Sequence, residues 1–469
     1  MKKIGKVLLL IILLVGFSLG GYFLGANSSL DNPLAGIVGG DPQSQEMERI
    51  MKNVENYRKI IKRDYIFDYQ DEDLETGIYK GLFAGLGDPY SEYYTKEEYD
   101  ALMEDTSGSF AGIGLVVTAG EDNLITVVSP IEGTPAARAG IRSGDKILAV
   151  DGVTYLGSEL NEATKAMRGT PGTQVTVTIR KEGTGVLKSE DKTLTRAEIN
   201  VKTVNAKLLD DQVGYVQVTQ FNETTADEFD KALRSLMDQG AEHLVLDLRN
   251  NPGGLLDMVI KMADNVLGEG KIVTTVDKQK KEDVATSDKE HIGIPMVVLV
   301  NEGSASASEI MTGALKDNQR ALVLGKTTFG KGIVQRLYPL GGGKGGGFKL
   351  TMAEYLTPKG THIHEVGIGP DLELDLNEDA KGIGPDFMDQ DNQLRAAIAL
   401  VKTLTSDRVD PAKAKSFDLK PFLPQTGEEG SSEPASSEEG QSSSTQESGQ
   451  EPASSTQPEE KPQESSSAE

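Results

Sequence analysis

Cysteine is absent from the 469-residue chain. A disulfide framework, a thiolate zinc site, a cysteine nucleophile and a lipid on an N-terminal cysteine are therefore all excluded. Proteins without cysteine occur in reducing and oxidising compartments alike, so this absence does not indicate where the protein works.

Positive charge is also scarce, because 48 Lys and Arg residues stand against 73 Asp and Glu residues. The resulting formal net charge of -25 would repel a phosphate backbone. The sequence shows no basic stripe of the kind that binds nucleic acid. We therefore expect no DNA or RNA partner.

Histidine is represented by four residues, which are His243, His291, His362 and His364. None has the surroundings of a partner for a serine nucleophile. His362 and His364 lie in a predicted strand over residues 361–364 and could share a face, but no third ligand stands at a suitable spacing for a metal. The segment Gly325-Lys326-Thr327-Thr328 lacks the leading glycine of a phosphate-binding loop. We therefore expect no metal site and no cofactor.

A long apolar run from Val7 to Ala26 follows three lysines at the N-terminus. Its length matches the ~20 residues that a bilayer core requires, and the positive-inside rule places Met1 in the cytoplasm. We predict a cytoplasmic stub and a single membrane anchor over residues 1–27, with the rest of the chain outside the cytoplasm. A cleaved signal peptide is the competing interpretation, although Leu24-Gly25-Ala26 is a poor cleavage site.

Two further segments lie outside the predicted domains. Residues 28–101 combine a linker with a helical arm, in which apolar side chains from Ile50 to Ile61 recur at helical spacing. Residues 425–469 consist almost wholly of Ser, Glu, Gln, Pro and Gly. Because they cannot bury enough apolar surface to offset the entropy of ordering, we predict a disordered acidic tail.

Residues 102–185 predict a small β-rich domain. Its strand-like runs are separated by Gly/Pro turns and are Gly112–Thr118, Leu124–Ser129, Lys146–Val150 and Gln174–Arg180. One helical stretch, Ser158–Arg168, lies between them.

Residues 186–424 alternate between strand-like and helical runs. The runs are the strands His243–Arg249, Pro295–Val300 and Ala321–Leu324 and the helices Leu255–Leu267 and Glu309–Asp317. This order predicts a parallel sheet with right-handed crossovers. The whole chain is thus expected to be a mixed α+β or α/β protein with a membrane helix, a helical arm and a disordered tail.

Two loops should leave the carboxyl ends of strands in this sheet, where ligands usually bind. Residues 250–254 offer bare backbone amides, and residues 301–308 offer three hydroxyls at a helix N-terminus, whose positive end stabilises an oxyanion. A serine nucleophile also needs a base. Lys331 is flanked by glycines, and burial can lower the pKa of a lysine towards neutrality. Gln335 lies on the same face as Lys331.

From these residues alone, a Ser/Lys site is one of two interpretations. In the other, Ser304, Ser306 and Ser308 cap a helix and Lys331 is a solvated surface charge.

A resemblance decides between them. Several segments look like the signature stretches of the C-terminal processing peptidases and occur in that family's order, namely Asp88–Tyr93, Asp247–Gly254, Ser304–Glu309 and Phe329–Gln335. The resemblance covers roughly residues 46–404.

This resemblance implies a role for individual residues. Ser306 matches the nucleophile, Lys331 the general base and Gln335 the residue that orients the base. The oxyanion hole corresponds to the N–H of Ala307 and one N–H of the Pro-Gly-Gly turn. We prefer Gly253 for the second donor, although the sequence does not separate it from its neighbour Gly254.

The β-rich domain resembles a PDZ domain. Its carboxylate-binding loop corresponds to Gly112, Ile113, Gly114 and Leu115, with residues 161–168 as the helix beside the peptide groove. Such a domain adds a peptide as an extra strand and captures its terminal carboxylate with backbone amides.

Together with the anchor predicted from the N-terminal run, which places the chain outside the cytoplasm, these resemblances imply a membrane-anchored serine endopeptidase that acts on proteins with free, apolar C-termini. Arg168 matches an arginine that couples PDZ occupancy to activity, with a surface arginine in a turn as the alternative. A catalytically silent PDZ adaptor is the competing function. The resemblance also favours a homodimer, while the amphipathic arm could equally pack on the chain's own core.

Overall fold

The computed structural model describes residues 42–181, 189–341 and 345–424. The predicted membrane anchor and the predicted disordered tail lie outside these ranges. Within them, no helix combines the length and the apolar character needed to cross a membrane.

The first described segment is the helical arm. Helices α1 (Pro42–Asp64) and α2 (Asp71–Ala84) precede a short strand, β1 (Glu92–Tyr94), and helix α3 (Lys96–Ser107). Helix α3 begins with a reciprocal cap, because Thr95 and Glu98 each accept a hydrogen bond from the other's backbone N–H. The arm is helical as predicted, but β1 was not expected.

The β-rich domain follows the arm. It contains the strands β2 (Ser109–Gly112), β3 (Leu115–Ala119), β4 (Ile125–Pro130), β5 (Lys146–Val150), β6 (Val153–Thr154), β7 (Gln174–Arg180), β8 (Ser189–Thr195) and β9 (Ala197–Asn200), and the helices α4 (Pro135–Arg138) and α5 (Leu160–Met167). Its sheet runs β3-β4-β5-β7-β8 with β6 beside β5, and β2 pairs with β9. The predicted runs and the predicted helix are all present. Strand β8 was not predicted, because its sequence is mostly polar.

The remaining chain forms the core. Its strands are β10 (Val204–Leu208), β11 (Val213–Val218), β12 (His243–Asp247), β13 (Gly270–Asp277), β14 (Glu282–Ser287), β15 (Met296–Val300), β16 (Leu322–Gly325), β17 (Ile333–Pro339), β18 (Gly347–Leu356) and β19 (Leu372–Glu373). Its helices are α6 (Thr225–Asp238), α7 (Leu256–Leu267), α8 (Ala307–Asp317), α9 (Asn392–Val401) and α10 (Ala412–Ser416).

The main sheet of the core has the order β10-β11-β12-β15-β16-β19. Strand β10 is antiparallel to β11, and the other pairs are parallel, as the alternation of strands and helices predicted. Alternate side chains enter two apolar clusters. Leu246 and Val298 pack with the residues of α6, α7 and α8, whereas Val245 and Leu299 pack with α9. Because both faces are covered, the central strands are continuous apolar runs.

A second, antiparallel sheet has the order β1-β18-β13-β14, with β17 also beside β18. Strand β1 pairs with β18, so the arm contributes a strand to this sheet. The sheet was not predicted, because its strands mix apolar and polar side chains. The predicted strand over residues 361–364 is wrong, since the pairing there is an isolated bridge between His362 and Leu356.

Candidate active site

The loop between β15 and α8 carries three serines in different environments. The hydroxyl of Ser304 donates to the Leu248 carbonyl at 2.8 Å, and that of Ser308 donates to the Asn251 carbonyl at 2.9 Å. Both serines are fully buried, and they fasten this loop to the loop after β12. Ser306 is half-buried at the N-terminus of α8, so a substrate can reach it.

Ser306 adopts a backbone conformation that L-residues rarely take, with φ 53° and ψ -111°. Such conformations cost about 1–3 kcal/mol and persist only where the surroundings enforce them. The Ser306 N–H donates to the Glu309 carboxylate at 2.9 Å, and the Ser306 carbonyl accepts from the Tyr355 hydroxyl at 2.9 Å. Both backbone polar groups of this serine are therefore held by buried side chains.

Glu309 is a fully buried carboxylate that accepts four hydrogen bonds. Its Oε1 accepts from the Thr328 hydroxyl at 2.6 Å and from the Gly330 N–H at 2.7 Å. Its Oε2 accepts from the N–H of Ser306 at 2.9 Å and from that of Lys331 at 2.8 Å. These donors compensate for the loss of water around the buried charge. One side chain thus joins the serine loop to the lysine loop.

Lys331 is partly buried, and its ammonium lies 4.8 Å from the centroid of the Tyr90 ring. Burial lowers the pKa of Lys331 below its usual value, and the nearby Lys349 lowers it further, while Asp88 and Glu309 act in the opposite direction. A lowered pKa increases the fraction of neutral amine near pH 7. A lysine that serves as a general base needs this form.

Gln335 lies in β17 opposite Thr351 of β18. Its Nε2 is buried and has no hydrogen-bond partner within the described part of the chain. It lines a cavity of about 1540 Å³, whose wall also includes Asp88 and Leu256. Buried amides are nearly always paired in folded proteins. The unpaired amide of Gln335 is therefore a feature that the packing of the described residues does not explain.

The two glycines of the Pro-Gly-Gly turn have different neighbours. A side chain on Gly253 would stand 2.8 Å from Cβ of Ser306 and 2.9 Å from the backbone nitrogen of Ala307. A side chain on Gly254 would instead stand 2.1 Å from the carbonyl oxygen of Phe221. Gly253 therefore borders the serine, whereas Gly254 packs against the core.

The N–H of Gly253 donates to Oδ1 of Asn251 at 2.9 Å, a contact that was not foreseen. Asparagine side chains commonly bond to the backbone two residues ahead, and Asn251 and Gly253 have that spacing. The same loop is joined to the serine loop by Asn250, whose N–H and Oδ1 both bond the side chain of Asn301 at 2.8 Å. The amide of Gly253 thus lies beside the serine but is already engaged.

A buried ion cluster supports the start of this loop. The Arg249 guanidinium lies 2.6 Å from Asp247 and 2.8 Å from Asp391, and all three side chains are fully buried. Gln393 accepts a further bond from Arg249 at 2.9 Å, and the Tyr215 hydroxyl donates to Asp247 at 2.9 Å. The cluster fixes the end of β12, where the glycine turn begins.

The predicted carboxylate loop of the PDZ domain lies between β2 and β3. The carbonyl of Ile113 accepts from the Ala136 N–H at 2.9 Å, and that of Gly114 accepts from the Ile131 N–H at 3.0 Å. Gly114 has a positive φ of 80°, and a side chain there would stand 2.3 Å from Cβ of Thr134. The carbonyls of this loop are therefore fixed by hydrogen bonds to the backbone, and position 114 requires glycine.

Arg168, which follows α5, contacts the arm rather than solvent alone. It forms an ion pair with Glu104 of α3, and its guanidinium lies 5.2 Å from the centroid of the Phe110 ring. The residue therefore connects the end of the PDZ helix to the helix that leads into that domain.

The site also contains three residues for which no role was predicted, namely Glu309, Tyr355 and Tyr90. Glu309 was detectable, because Ser306 and Glu309 have the Ser-x-x-Glu spacing of a helix capping box. Tyr90 lies in the signature stretch Asp88–Tyr93, which indicated the segment but not the role of the ring, and Tyr355 reaches the site only through tertiary contacts.

Residues 212–374 match Peptidase family S41, and residues 126–181 match a PDZ domain family. The chain is 40% identical over 323 residues to the carboxy-terminal processing protease CtpA of Bacillus subtilis, a match that covers 68% of each chain. It is also 40% identical over 346 residues to the carboxy-terminal-processing protease of Bartonella bacilliformis, covering 72% of this chain and 78% of that one.

Among solved structures, a photosystem II D1 C-terminal processing protease is 33% identical and covers 68% of this chain and 86% of its own, with a TM-score of 0.42. The matched S41 segment includes Ser306, Lys331 and Gln335. On the sequence identity and coverage of its relatives, the chain belongs to the carboxy-terminal processing serine proteases of peptidase family S41 and carries a PDZ domain.

Proposed function

We propose that this protein is a membrane-anchored, extracytoplasmic serine endopeptidase with Ser306 as its nucleophile and Lys331 as its general base. The observation that carries the proposal is the shared Oε2 of Glu309, which accepts from the N–H groups of both residues at 2.9 and 2.8 Å. Burial, which lowers the pKa of Lys331, supports the same assignment.

The reaction begins when neutral Lys331 takes the proton of the Ser306 hydroxyl. The serine oxygen then attacks a peptide carbonyl and forms a tetrahedral intermediate. Its collapse breaks the C–N bond, and protonated Lys331 gives its proton to the leaving amine. Water, deprotonated by Lys331, then attacks the acyl-enzyme and releases the new C-terminus with regeneration of Ser306.

The oxyanion of the intermediate needs donors that face the serine. The Ala307 N–H, at the positive end of α8, and the Gly253 N–H are proposed for this role. Since the Gly253 N–H donates to Asn251 at 2.9 Å, the substrate carbonyl must replace that acceptor. Gln335 is proposed to orient Lys331, and its unpaired Nε2 beside the cavity supports a role in the complete site.

The PDZ domain is proposed to select substrates with free, apolar C-termini. Residues 112–115 supply the backbone that would receive the carboxylate. Arg168 is proposed to couple PDZ occupancy to activity, and its ion pair with Glu104 supports a link between that domain and the arm.

The anchor and the assembly state are proposals of the same kind. The apolar run from Val7 to Ala26 after three lysines supports a single-pass anchor with the catalytic part outside the cytoplasm. Exposed apolar residues on α1, including Ile50 and Ile60, support a homodimer through the arm. Loss of a dimer in Ile50→Asp, measured by light scattering, would test this, and a monomeric parent would reject it.

The function is tested by incubating the protein with an unstructured substrate that ends in apolar residues and following cleavage by mass spectrometry. We expect the parent to cut, Ser306→Ala and Lys331→Ala to be inactive, and C-terminal amidation of the substrate to slow cleavage. A parent that binds C-termini without cutting would instead establish the PDZ adaptor function. Cleavage by Lys331→Ala at the parental rate would reject Lys331 as the base.

A further inference from the structure

A turn of the N-terminal arm, residues 88–91, reaches the proposed general base. The Tyr90 ring centroid lies 4.8 Å from Nζ of Lys331. Asp88 stabilises the turn by accepting from the Tyr90 N–H at 2.9 Å and from the Ser91 hydroxyl at 2.5 Å. The ring is therefore held by a local hydrogen-bonded turn.

The same turn is also attached to the strand opposite Gln335. The Thr351 N–H donates to the Ser91 hydroxyl oxygen at 3.0 Å, and Ser91 is only 5% exposed. Thr351 is the cross-strand partner of Gln335, next to an irregularity in the register between Val334 and Gln335. The arm thus contacts Lys331 through an aromatic ring, and it is also bonded to the residue that lies opposite Gln335 in the sheet.

An aromatic face at this distance acts on an ammonium in two ways. Its quadrupole attracts the cation, and its bulk excludes water. Charged groups from three elements affect the pKa of Lys331, namely Lys349 of β18, Asp88 of the turn and Glu309 of α8. His364 in turn contributes to lowering the pKa of Asp88. Tyr90 adds attraction for the cation without adding a negative charge that could trap the proton on the lysine.

We propose that Tyr90 is a positioning residue for Lys331, whose ring face holds the amine and stabilises the ammonium that forms when Ser306 loses its proton. The arm is then part of the active site and not only a means of attachment. The inference rests on the Ser/Lys function proposed above for its catalytic consequence, but the contact itself can be measured without any substrate.

The test compares the full-length chain with Tyr90→Leu and Tyr90→Phe. Leucine keeps most of the bulk and removes the π face, whereas phenylalanine keeps both. Tyr93→Leu is the matched control, since Tyr93 lies in the same segment and contacts Tyr79 at a centroid distance of 5.0 Å. Lysine labelled with ¹³C at Cε is titrated by NMR, with Lys331→Arg assigning the resonance. Thermal unfolding verifies that each variant folds.

Removing the π face should lower the Lys331 pKa, and cation–π strengths correspond to a shift of about 0.5–1 pH unit. Tyr90→Phe and Tyr93→Leu should stay at the parental pKa. If Tyr90→Leu leaves the pKa unchanged or raises it, the proposal is overturned, whether or not the protein cleaves peptides.

A second readout connects the contact to catalysis. The acid limb of kcat/KM against pH should move in Tyr90→Leu by the same amount and in the same direction as the NMR pKa. If the NMR pKa moves but the acid limb does not, the ring contacts a lysine that is not the base. That outcome would reject the proposed positioning role and the Ser/Lys assignment together, whereas an unchanged NMR pKa would reject only the role of Tyr90.

Discussion

Ser306 and Lys331 donate their backbone N–H groups to one and the same oxygen, Oε2 of Glu309, at 2.9 and 2.8 Å. Their carbonyls also share a donor, because the Tyr355 hydroxyl contacts both. Two loops that are separate in the sequence are therefore fixed to each other at the residues that carry the proposed chemistry. Their relative position depends on two buried side chains that take no part in proton transfer.

Glu309→Gln should abolish most of the activity. A glutamine offers one acceptor oxygen and one NH₂ group where four donors now converge, so at least two donors lose their acceptor. Each unpaired buried group costs about 1–3 kcal/mol, and the strained Ser306 backbone would relax. We expect kcat/KM to fall by about 10²-fold or more, since small misplacements of reacting groups have effects of this size.

Glu302→Gln is the matched control, because Glu302 lies in the same loop but is exposed. It should retain parental kcat/KM and thermal stability. Parental activity in Glu309→Gln would show that the shared carboxylate does not position the site.

The pH dependence of cleavage should respond to Lys349. Burial first, and Lys349 second, lower the pKa of Lys331. Removing the neighbouring positive charge with Lys349→Gln should therefore raise the pKa of Lys331. In the proposed mechanism the neutral amine is the base, so activity rises with pH through this pKa, and the acid limb of kcat/KM should move to higher pH. At a fixed pH on that limb we expect a rate about two- to fivefold lower. A shift towards lower pH would contradict the account.

Substitution of the two glycines of the Pro-Gly-Gly turn should have different effects, one on activity and the other on stability. Gly253→Ala would place a methyl group 2.7 Å from the Ala305 carbonyl oxygen and 2.8 Å from Cβ of Ser306 at a φ of 103°, so the serine loop must shift and we expect at least tenfold lower kcat/KM. Gly254→Ala would clash with the Phe221 carbonyl at 2.1 Å and should mainly lower the melting temperature. Circular dichroism and cleavage rates separate the two effects. If Gly254→Ala mainly lost activity and Gly253→Ala mainly lost stability, the roles assigned to the two glycines would be exchanged.

The buried ion cluster should be essential for stability. Arg249→Met would leave Asp247 and Asp391 buried without their counter-ion, at a cost of about 3–5 kcal/mol. Arg249→Lys keeps the charge but not the bidentate contacts, so it should lose less. Urea unfolding measures the free energy of unfolding of both variants. Equal loss in the two variants would show that hydrogen-bond geometry, and not charge, is what the cluster requires.

The fold was predictable from sequence where burial is complete on both faces of a strand. Residues 244–246 and 296–300 are continuous apolar stretches, and they form the centre of the main sheet. The antiparallel sheet of β1, β13, β14, β17 and β18 was missed, because its strands mix apolar and polar side chains and because β1 and β13 pair with β18 across long stretches of chain. The false strand over residues 361–364 came from alternation without a neighbouring strand to complete it.

The candidate site was predictable only in part, and for a similar reason. Ser306, Lys331 and Gln335 lie in segments whose pattern is local. The network around them is not local, since Tyr355 contacts the serine and lysine loops from β18, and Tyr90 reaches Lys331 from the arm. The engagement of the Gly253 amide by Asn251 depends on a side-chain orientation that the sequence does not specify.

The central claim is that Lys331 activates Ser306, and covalent labelling by a fluorophosphonate tests it without a protein substrate. Intact-mass and peptide-mass measurements on the parent should show one phosphonyl adduct on Ser306. The labelling rate should rise with pH along the titration of Lys331, and labelling should be lost in Lys331→Ala. An adduct on another serine, or labelling of Lys331→Ala at the parental rate, would contradict the account.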